Sequence, residues 1–509
     1  MKLDFSKIPS LGEALRDATS RYGTNIAFFE ADRERENGRW TYTDVRREAE
    51  RVASVLQERG LAPGDRCAIL MTNQAKWPIS ATGVFWAGLA LVPLDYKLSP
   101  PEQLALLAHA RPKALIVEWP IWSKLRAHAQ VETVLVTEAP DKEDVSPSIR
   151  WEAGSRTGFS YRPRDRSDVA CIVYSSGTGG RAKGCMLLHH NYLSQASSLA
   201  ALYPMAENER YFSILPTNHA IDFMCGYFLP LTFGAAVVHQ RTLRPEFLAF
   251  TMKRYGVTHM ALVPMLLKAF EKKIRENIAA VSKGKRFLLK NLIALNAFAT
   301  RRTPRHGLSR LLLKPIHDPF GGRLRFLFAG GAFVDPAMAE FFYRLGLPVA
   351  IGYGLTEACT VLTVNDLKPF RSDTVGTPVE GVRIEIRNRN DQGVGEVWVR
   401  GPTVMKEYLD DPELTAETII DGWLRTGDLG VLDDTDHLKL VGRAKDMIVT
   451  EGGKNVYPED VETHFDDLME SHEHCVFASN YIWPVEGLQG NRLMLVVRPP
   501  ARPFPWRRP

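Results

Sequence analysis

The sequence predicts an α/β protein built mainly from parallel β-sheets that are covered by helices. Between residues 113 and 355, short apolar segments alternate with longer segments whose apolar residues recur at helical spacing. This alternation is typical of parallel sheets with helices on both faces. After residue 375, apolar and polar residues alternate instead, as in VRIEIRN and GEVWVRG, which favours antiparallel strands with one exposed face. We therefore expect a large helix-flanked domain of mostly parallel sheets, followed by a small β subdomain.

The individual elements follow from segment length and flanking residues. Buried strands are predicted at residues 114–117, 134–136, 169–174, 212–215, 235–238, 259–263, 325–328 and 349–351. Helices are predicted at residues 246–255 and 336–345, and at 455–468, where Pro458 and acidic residues occupy the first turn. The most apolar runs, residues 79–94 and 223–238, contain Gly, Pro or Thr and are too short for a membrane span. Both are predicted to be buried helix or strand.

Composition limits the class of protein. The hydrophobic share of 45%, the charged share of 24% and the net charge of +5 fit a globular protein and do not indicate a nucleic-acid partner. The six cysteines show no CxxC spacing, so neither a zinc site nor a disulfide framework is predicted. The N-terminal residues lack the apolar core of a signal peptide. A reducing, cytoplasmic location without a transmembrane segment is expected.

Two segments differ from the rest of the chain. Residues 283–317 are basic and helical, which fits either a solvated helical hairpin or a surface for peripheral membrane contact or a partner. Residues 499–509 are rich in Pro and Arg without helical or strand periodicity, so a disordered tail is predicted.

The segment YSSGTGGRAKG at residues 174–184 combines hydroxyls, glycines and one lysine directly after a predicted strand. Glycines let backbone N–H groups approach an anion, and hydroxyls and a lysine add donors and charge. Lys183 is flanked by Ala182 and Gly184, which does not match a Walker P-loop. From these residues alone, the segment is either a phosphate-binding loop or a flexible surface loop.

Six further segments accompany this loop in order. They are LPTNHAIDF, GGRLRFLFAGGAFVDP, IGYGLTEA, GEVWVRGPTVMKEYLDDPELT, DGWLRTGDLG and VGRAKDMIVTEGGKNVYPEDVE. Together they resemble the motifs of the AMP-forming adenylating enzymes, which include acyl-CoA synthetases, luciferases and the adenylation domains of peptide synthetases. The resemblance spans about residues 10–465. It implies an AMP-binding domain at 1–445, a partial α+β lid domain at 446–498 and the tail at 499–509.

In this family, ATP and a carboxylate give an acyl-adenylate and pyrophosphate, and a thiol, usually of coenzyme A, then displaces AMP. The resemblance assigns the β- and γ-phosphates to the loop residues Ser175, Ser176, Gly177, Thr178, Gly179 and Lys183. Several donors at once suit the dispersed negative charge of the phosphates. The loop departs from the family at Gly179, often Thr, and at Ala182, often Pro.

The resemblance also assigns the remaining nucleotide contacts. The adenine would lie against Gly330, Gly331, Ala332 and Tyr353, and Gly352 and Gly354 are also assigned to cofactor binding. Thr356 would bind the α-phosphate, and Glu357 would hold Mg²⁺, a hard cation that prefers oxygen ligands. Asp428 and Arg443 match the two residues that bind the ribose hydroxyls.

Three more positions receive roles by resemblance. His219 would line the acyl entrance and help to place the carboxylate. Lys445 would be the hinge, and Gly453, in EGGKN, would line the tunnel for coenzyme A. Asp222 stands near an aspartate that binds an amine in amino-acid-activating relatives, but the spacing from His219 to Gly234 suits the acyl-CoA type better.

The chain resembles long-chain fatty acyl-CoA synthetases most closely, so a medium- or long-chain fatty acid is the predicted substrate; an aryl acid is the alternative. The family carries a lid lysine near its C-terminus, whereas the last lysine here is Lys454. The lid is therefore predicted to be truncated and adenylation to be impaired. Two alternatives stay open, a non-catalytic nucleotide or acyl-adenylate binder and a ligase that loads an acyl carrier protein.

Overall fold

The computed structural model describes residues 4–175 and 183–444, together with 448–449, 455–456, 458, 461–462, 473–478 and 493–498. The chain forms two compact units. The large unit comprises Met1–Val382 and Arg400–Glu417, and the small unit comprises Arg383–Val399 and Thr418–Pro509. The predicted domain boundary at 445–446 and the predicted tail at 499–509 lie outside the described residues, so both stay predictions.

The α-helices, in chain order, are α1 Leu11–Arg21, α2 Tyr42–Glu58, α3 Lys76–Trp86, α4 Pro100–Ala110, α5 Trp119–Leu125, α6 His189–Leu202, α7 Ala220–Phe223, α8 Leu229–Thr232, α9 Pro245–Tyr255, α10 Pro264–Ala280, α11 Lys283–Thr300, α12 His306–Leu312, α13 Lys314–His317, α14 Pro336–Arg344 and α15 Pro412–Thr418. A π-helical turn spans Met224–Phe228, and 3₁₀ turns span Asp318–Phe320 and Thr356–Ala358.

The strands are β1 Ile26–Asp32, β2 Arg35–Thr41, β3 Arg66–Leu70, β4 Ala90–Pro93, β5 Ala114–Glu118, β6 Thr133–Thr137, β7 Ile149–Arg150, β8 Val169–Ser175, β9 Lys183–Leu188, β10 Arg210–Ser213, β11 Ala236–Gln240, β12 His259–Leu262, β13 Phe326–Ala329, β14 Val349–Tyr353, β15 Thr363–Val364, β16 Thr377–Pro378, β17 Arg383–Arg387, β18 Gly395–Arg400, β19 Glu407–Tyr408, β20 Ile419–Ile420, β21 Trp423–Leu432, β22 Leu438–Arg443, β23 Ile448–Val449, β24 Asn455–Val456, β25 Glu473–Ala478 and β26 Leu493–Arg498.

Two large sheets form the frame of the large unit. One has nine strands in the order β16-β15-β14-β13-β12-β10-β11-β1-β2, and the other has eight in the order β19-β9-β8-β4-β3-β5-β6-β7. The interior of each sheet is parallel, and antiparallel pairs occur toward the edges, as between β8 and β9. The predicted α/β class with mostly parallel sheets is confirmed. In such sheets, ligands bind beyond the carboxyl ends of the strands.

The predicted strands all correspond to strands of these sheets, with shifts of a few residues at their ends. The largest shift is at 212–215, where β10 covers Arg210–Ser213 and the next residues lead into the loop before α7. Each sheet packs its own apolar core against helices; Phe212, Met260 and Leu327 are fully buried in one, and Leu70 and Val117 in the other. The two most apolar runs are buried helix and strand, as predicted. Within the described residues, no helix is long and apolar enough to cross a membrane.

The small unit contains an antiparallel sheet in the order β17-β18-β21-β20, with β22 paired to β21. This sheet confirms the prediction of antiparallel strands after residue 375. The prediction that both strands are half-buried was wrong for β18, where Gly395–Val399 are all buried and only Arg400 is exposed. Two further antiparallel pairs, β23 with β24 and β25 with β26, belong to this unit.

The six cysteines are free thiols. Five lie buried in the large unit, and Cys475, in β25 of the small unit, is exposed.

Candidate active site

The β8–β9 hairpin positions the two ends of the predicted phosphate loop. Ser175 is the last residue of β8, Lys183 is the first residue of β9, and the two residues are antiparallel partners. Cross-strand pairing holds their Cα atoms about 5 Å apart, so a hydroxyl and an ammonium group flank the same loop. The loop predictions Ser176, Gly177, Thr178 and Gly179 lie outside the described residues.

A hydrogen-bonded carboxylate lies next to this hairpin. Glu357 belongs to the 3₁₀ turn after β14, and its Oε1 accepts hydrogen bonds from Ser175 Oγ and Tyr408 Oη, each at 3.0 Å. Among the described residues, no donor reaches Oε2. Ser175 and Glu357, which were both predicted as site residues, are therefore hydrogen-bonded to each other. The second oxygen of the Glu357 carboxylate is left for another ligand.

Tyr408 was not predicted as a site residue. It lies in β19, which pairs with β9 so that Tyr408 is the partner of Cys185. The Nζ of Lys183 lies 5.5 Å from the centroid of the Tyr408 ring, which is within the range of a cation–π contact. Tyr408 therefore touches both charged groups of the site, donating to the carboxylate with its hydroxyl and facing the ammonium with its ring.

The donor set around Glu357 fits a magnesium ion that is held partly by a substrate. Mg²⁺ prefers oxygen ligands and is commonly bound by one or two carboxylates together with phosphate oxygens and water. Glu357 supplies one half-buried carboxylate. No cluster of three metal-binding side chains occurs within the part of the chain that the structure describes. A cation at Glu357 would thus depend on phosphate oxygens for most of its ligands.

Glycines bring backbone close together at the carboxyl ends of β13 and β14. A Cβ on Gly330 would lie 2.8 Å from the carbonyl oxygen of Gly352, and a Cβ on Gly354 would lie 1.9 Å from that of Thr360. Side chains at these positions would force the strand ends apart. Gly330 and Gly354 thus have a packing reason to be glycine, whereas Gly331 has open space around it and needs glycine for its φ of +79°.

An apolar cavity of about 630 Å³ opens at these strand ends. Its lining includes six predicted site residues, namely Gly330, Gly331, Gly352, Gly354, Thr356 and His219. Most of the remaining wall is aliphatic or aromatic. The predicted adenine contacts Ala332 and Tyr353 are not part of the lining; Ala332 is exposed on the surface loop after β13, and Tyr353 is buried at the end of β14.

The lining of the cavity includes Lys97, His219 and His259. Nε2 of His219, the residue before α7, lies 3.5 Å from Asp95 Oδ2. Although burial opposes it, the hydrogen bonds from His219 and the Lys97 backbone hold the pKa of Asp95 below its usual value. Lys97 is an exposed part of the lining. His259 is buried, which lowers its pKa to about 3 and keeps it neutral. Asp95 was not predicted from the sequence.

Asp222 has a structural environment. It is fully buried and accepts hydrogen bonds from Tyr211 Oη at 3.1 Å, Ser213 Oγ at 2.7 Å and Thr217 Oγ1 at 3.0 Å. Burial raises its pKa to about 6 against the effect of these hydrogen bonds. A Cβ on Gly226 would lie 2.6 Å from Asp222 Oδ1, so the glycine in the π-helical turn makes room for the carboxylate. Tyr211 and Ser213 belong to β10, and Thr217 lies in the loop that follows this strand.

The small unit holds the predicted ribose pair. Asp428 in β21 and Arg443 in β22 are antiparallel partners, and Arg443 Nε lies 3.3 Å from Asp428 Oδ1. The carboxylate is mostly buried and the guanidinium mostly exposed. The sequence therefore predicted two residues that the fold does bring together. The predicted Gly453 and Lys445 lie outside the described residues.

Comparisons with known proteins identify the family of the chain. Residues 15–409 match the family model described as "AMP-binding enzyme". The chain is 30% identical to a 2-succinylbenzoate–CoA ligase of Bacillus licheniformis over 83% of this chain and 78% of that protein. It is 26% identical to the long-chain-fatty-acid–CoA ligase FadD15 of Mycobacterium bovis over 84% of this chain and 73% of that protein.

A solved structure supports the fold. The o-succinylbenzoate CoA synthetase MenE of Bacillus subtilis, in complex with the acyl-adenylate intermediate OSB-AMP, superposes with a TM-score of 0.74 at 22% sequence identity. The match covers 97% of this chain and 89% of that chain. Together with the family model, which matches most of the sequence, these relatives show that the chain belongs to the AMP-binding enzyme family.

Proposed function

We propose that this protein activates a carboxylic acid with ATP, forming an acyl-adenylate and pyrophosphate, and then transfers the acyl group to coenzyme A. The observation that carries the proposal is a junction in which Ser175 and Tyr408 donate hydrogen bonds to Glu357 and Lys183 faces the Tyr408 ring. Thr356, next to Glu357 in the chain, lines an apolar cavity. The junction supplies groups for a magnesium–phosphate centre, and the cavity supplies room for an acyl body. The names of the CoA ligases among the relatives support the same chemistry.

In the first step, a carboxylate oxygen bonds to the α-phosphorus and the bond to the β-phosphate oxygen breaks, releasing pyrophosphate. Negative charge develops on the phosphate oxygens as this bond breaks. Lys183 and the Ser175 hydroxyl would bind these oxygens, and Glu357 would hold the Mg²⁺ that neutralises them. In the second step, the deprotonated thiol of coenzyme A bonds to the acyl carbon and AMP leaves.

His219 is proposed to orient the acid. Its ring lines the cavity and its Nε2 faces Asp95, which fixes the imidazole at the cavity wall. A ring held in this way can direct the carboxylate toward the neighbouring Thr356, which also lines the cavity. For the small unit we propose that Asp428 accepts hydrogen bonds from ribose hydroxyls, with Arg443 orienting the carboxylate.

The cavity favours a monocarboxylic acid with an apolar body, and we propose a medium- or long-chain fatty acid. The volume of the cavity, about 630 Å³, lies within the usual range for sites that enclose a small molecule. His259 is neutral and Lys97 is exposed, so the wall supplies no buried cation among the described lining residues. A second carboxylate on the substrate would be buried there without a charge partner, which is costly.

The test is pyrophosphate release from ATP and Mg²⁺ with a panel of acids, run with the full chain. Octanoate and palmitate are expected to support turnover, while a dicarboxylic acid of the same length as palmitate should be at least about ten-fold slower because of its second charge. Formation of acyl-CoA is measured in parallel with an acyl carrier protein as the competing acceptor. Nucleotide binding without pyrophosphate release for any acid would contradict the enzyme proposal and favour a non-catalytic binder.

We propose a cytoplasmic location, because free thiols suit a reducing compartment. Fractionation of cells that express the chain, with the thiols trapped at lysis, tests this proposal.

A further inference from the structure

Helix α11 packs on the large unit through both apolar and polar side chains. Two polar residues, Asn296 and Thr300, face the protein and are buried. The side-chain amide of Asn296 donates to the carbonyl oxygen of Arg344 at 2.9 Å, and the carbonyl oxygen of Thr300 accepts from Tyr343 Oη at 2.7 Å. Leu289, Leu292 and Ile293 pack against the apolar core on the same side, so apolar and polar contacts together attach the inner face of this helix.

The outer face of α11 is apolar. Phe287 is 70% exposed, Leu288 59%, Leu295 52% and Phe298 63%. At about 100° per residue, these four positions fall within an arc of roughly 100° around the helix. A soluble helix normally buries such a stripe against its own protein. Here the stripe points to solvent, although exposing large apolar side chains is unfavourable.

Positive charge surrounds this stripe. Residues 277–317 contain nine Lys and Arg and neither Asp nor Glu, which exceeds the net charge of +5 of the whole chain. On α11 itself, Lys283 and Lys290 border one side of the stripe and Lys285 borders the other, all three exposed. Apolar residues between bordering cations are typical of a helix that lies in the interface of an anionic membrane.

We propose that the outer face of α11 docks on an anionic phospholipid bilayer, with the four apolar side chains entering the headgroup region and the bordering cations binding lipid phosphates. A second copy of this chain is a poor occupant because it would bring two strongly cationic surfaces together. A nucleic acid would contact the cations but would leave the apolar stripe in water. The proposal goes beyond the catalytic function and does not depend on it.

The test is sedimentation of the full chain with vesicles of phosphatidylcholine alone, or of phosphatidylcholine mixed with phosphatidylglycerol. Binding is expected to the mixed vesicles and to weaken as salt is raised. Phe287→Gln with Phe298→Gln should weaken binding roughly ten-fold or more, because two buried aromatic side chains are lost. Lys283→Gln with Lys290→Gln should also weaken it roughly ten-fold, since each cation near an anionic surface contributes.

Matched controls separate this surface from general effects. Phe250→Gln replaces an exposed aromatic residue on α9, and Lys272→Gln with Lys273→Gln removes two exposed charges from α10. Both should bind vesicles as the unmodified chain does, and all variants should bind AMP equally well. Absence of binding to mixed vesicles, or equal losses in the control variants, would overturn the proposal. Capture of an acidic protein by the stripe without vesicle binding would overturn it as well.

Discussion

Two carboxylates of the large unit, Glu357 and Asp222, have similar partners and different surroundings. Glu357 accepts from Ser175 and Tyr408 hydroxyls, but through one oxygen and while half-buried. Asp222 accepts three hydroxyl hydrogen bonds through both oxygens and is fully buried. Hydroxyl partners alone therefore do not decide what a carboxylate does. An oxygen left accessible suits ligand binding, whereas saturation and burial favour anchoring of the surrounding backbone.

The largest effect is expected from Glu357→Gln. The amide oxygen can still accept from both hydroxyls, but the negative charge proposed to hold Mg²⁺ is lost. The rate of pyrophosphate release should fall by about 10²–10³-fold, while the affinity for AMP changes by less than about two-fold, since AMP lacks the phosphates that the cation would bridge.

Glu413→Gln, which removes an exposed carboxylate from α15, is the matched control for this experiment. It should leave both quantities unchanged. An equal loss of AMP binding and of pyrophosphate release in Glu357→Gln would mean that Glu357 is an anchor like Asp222.

The next effect concerns Asp222, because burial raises the pKa of its carboxyl group from the ordinary 3.8 to about 6. Because the folded state holds the proton more tightly, the free energy of unfolding should fall as pH rises from about 4 to 6 and then level off. Asp222→Asn has no such ionisation. Relative to the unmodified chain, it should therefore gain roughly 3 kcal/mol between these pH values.

Guanidinium chloride unfolding at intervals from pH 4 to pH 7 measures this difference. Asp141→Asn, at an exposed position, should follow the unmodified chain throughout. Parallel curves for Asp222→Asn and the unmodified chain would show that Asp222 is ionised in the folded protein, and the contrast with Glu357 would then lose its basis.

Asp428 extends the comparison to a carboxylate that is paired with a cation. Asp428→Ala should weaken AMP binding by about 1–3 kcal/mol, the usual cost of leaving hydrogen-bonding groups unpaired. In calorimetry, the unmodified chain should prefer AMP over 2′-deoxy-AMP, and the variant should lose that preference. Asp434→Ala, on the exposed turn between β21 and β22, is the control. A variant that keeps the full preference would remove Asp428 from the ribose site.

The smallest effect is expected at Tyr408. Tyr408→Phe removes one of two donors to Glu357 and keeps the ring that faces Lys183, so pyrophosphate release should slow by several-fold, equivalent to about 1 kcal/mol. Tyr408→Leu removes the donor and the ring and should cost more. If the two variants are equally active, the contact with Lys183 contributes nothing.

The sequence predicted much of the fold and part of the site. Strand–helix alternation indicated the parallel sheets, since buried parallel strands are apolar throughout, and the motifs identified Ser175, Lys183 and Glu357. Tyr408 and Asp95 were missed because each acts through a partner far along the chain. Tyr408 meets Glu357 across 51 residues through the β19–β9 pairing, and no local pattern marks such a contact. The outward stripe of α11 was equally hidden, because periodicity does not say which face packs inward.

The distribution of cysteines has a practical consequence. Burial of five thiols in the large unit raises the pKa of each of them, so they are shielded from solvent and are poor nucleophiles near neutral pH. Cys475, exposed on β25, is left as the accessible thiol among the six. A maleimide dye should therefore label the folded chain once, in the small unit, without any engineered cysteine. The same reagent would report loss of the large unit's core as the appearance of additional labelled sites.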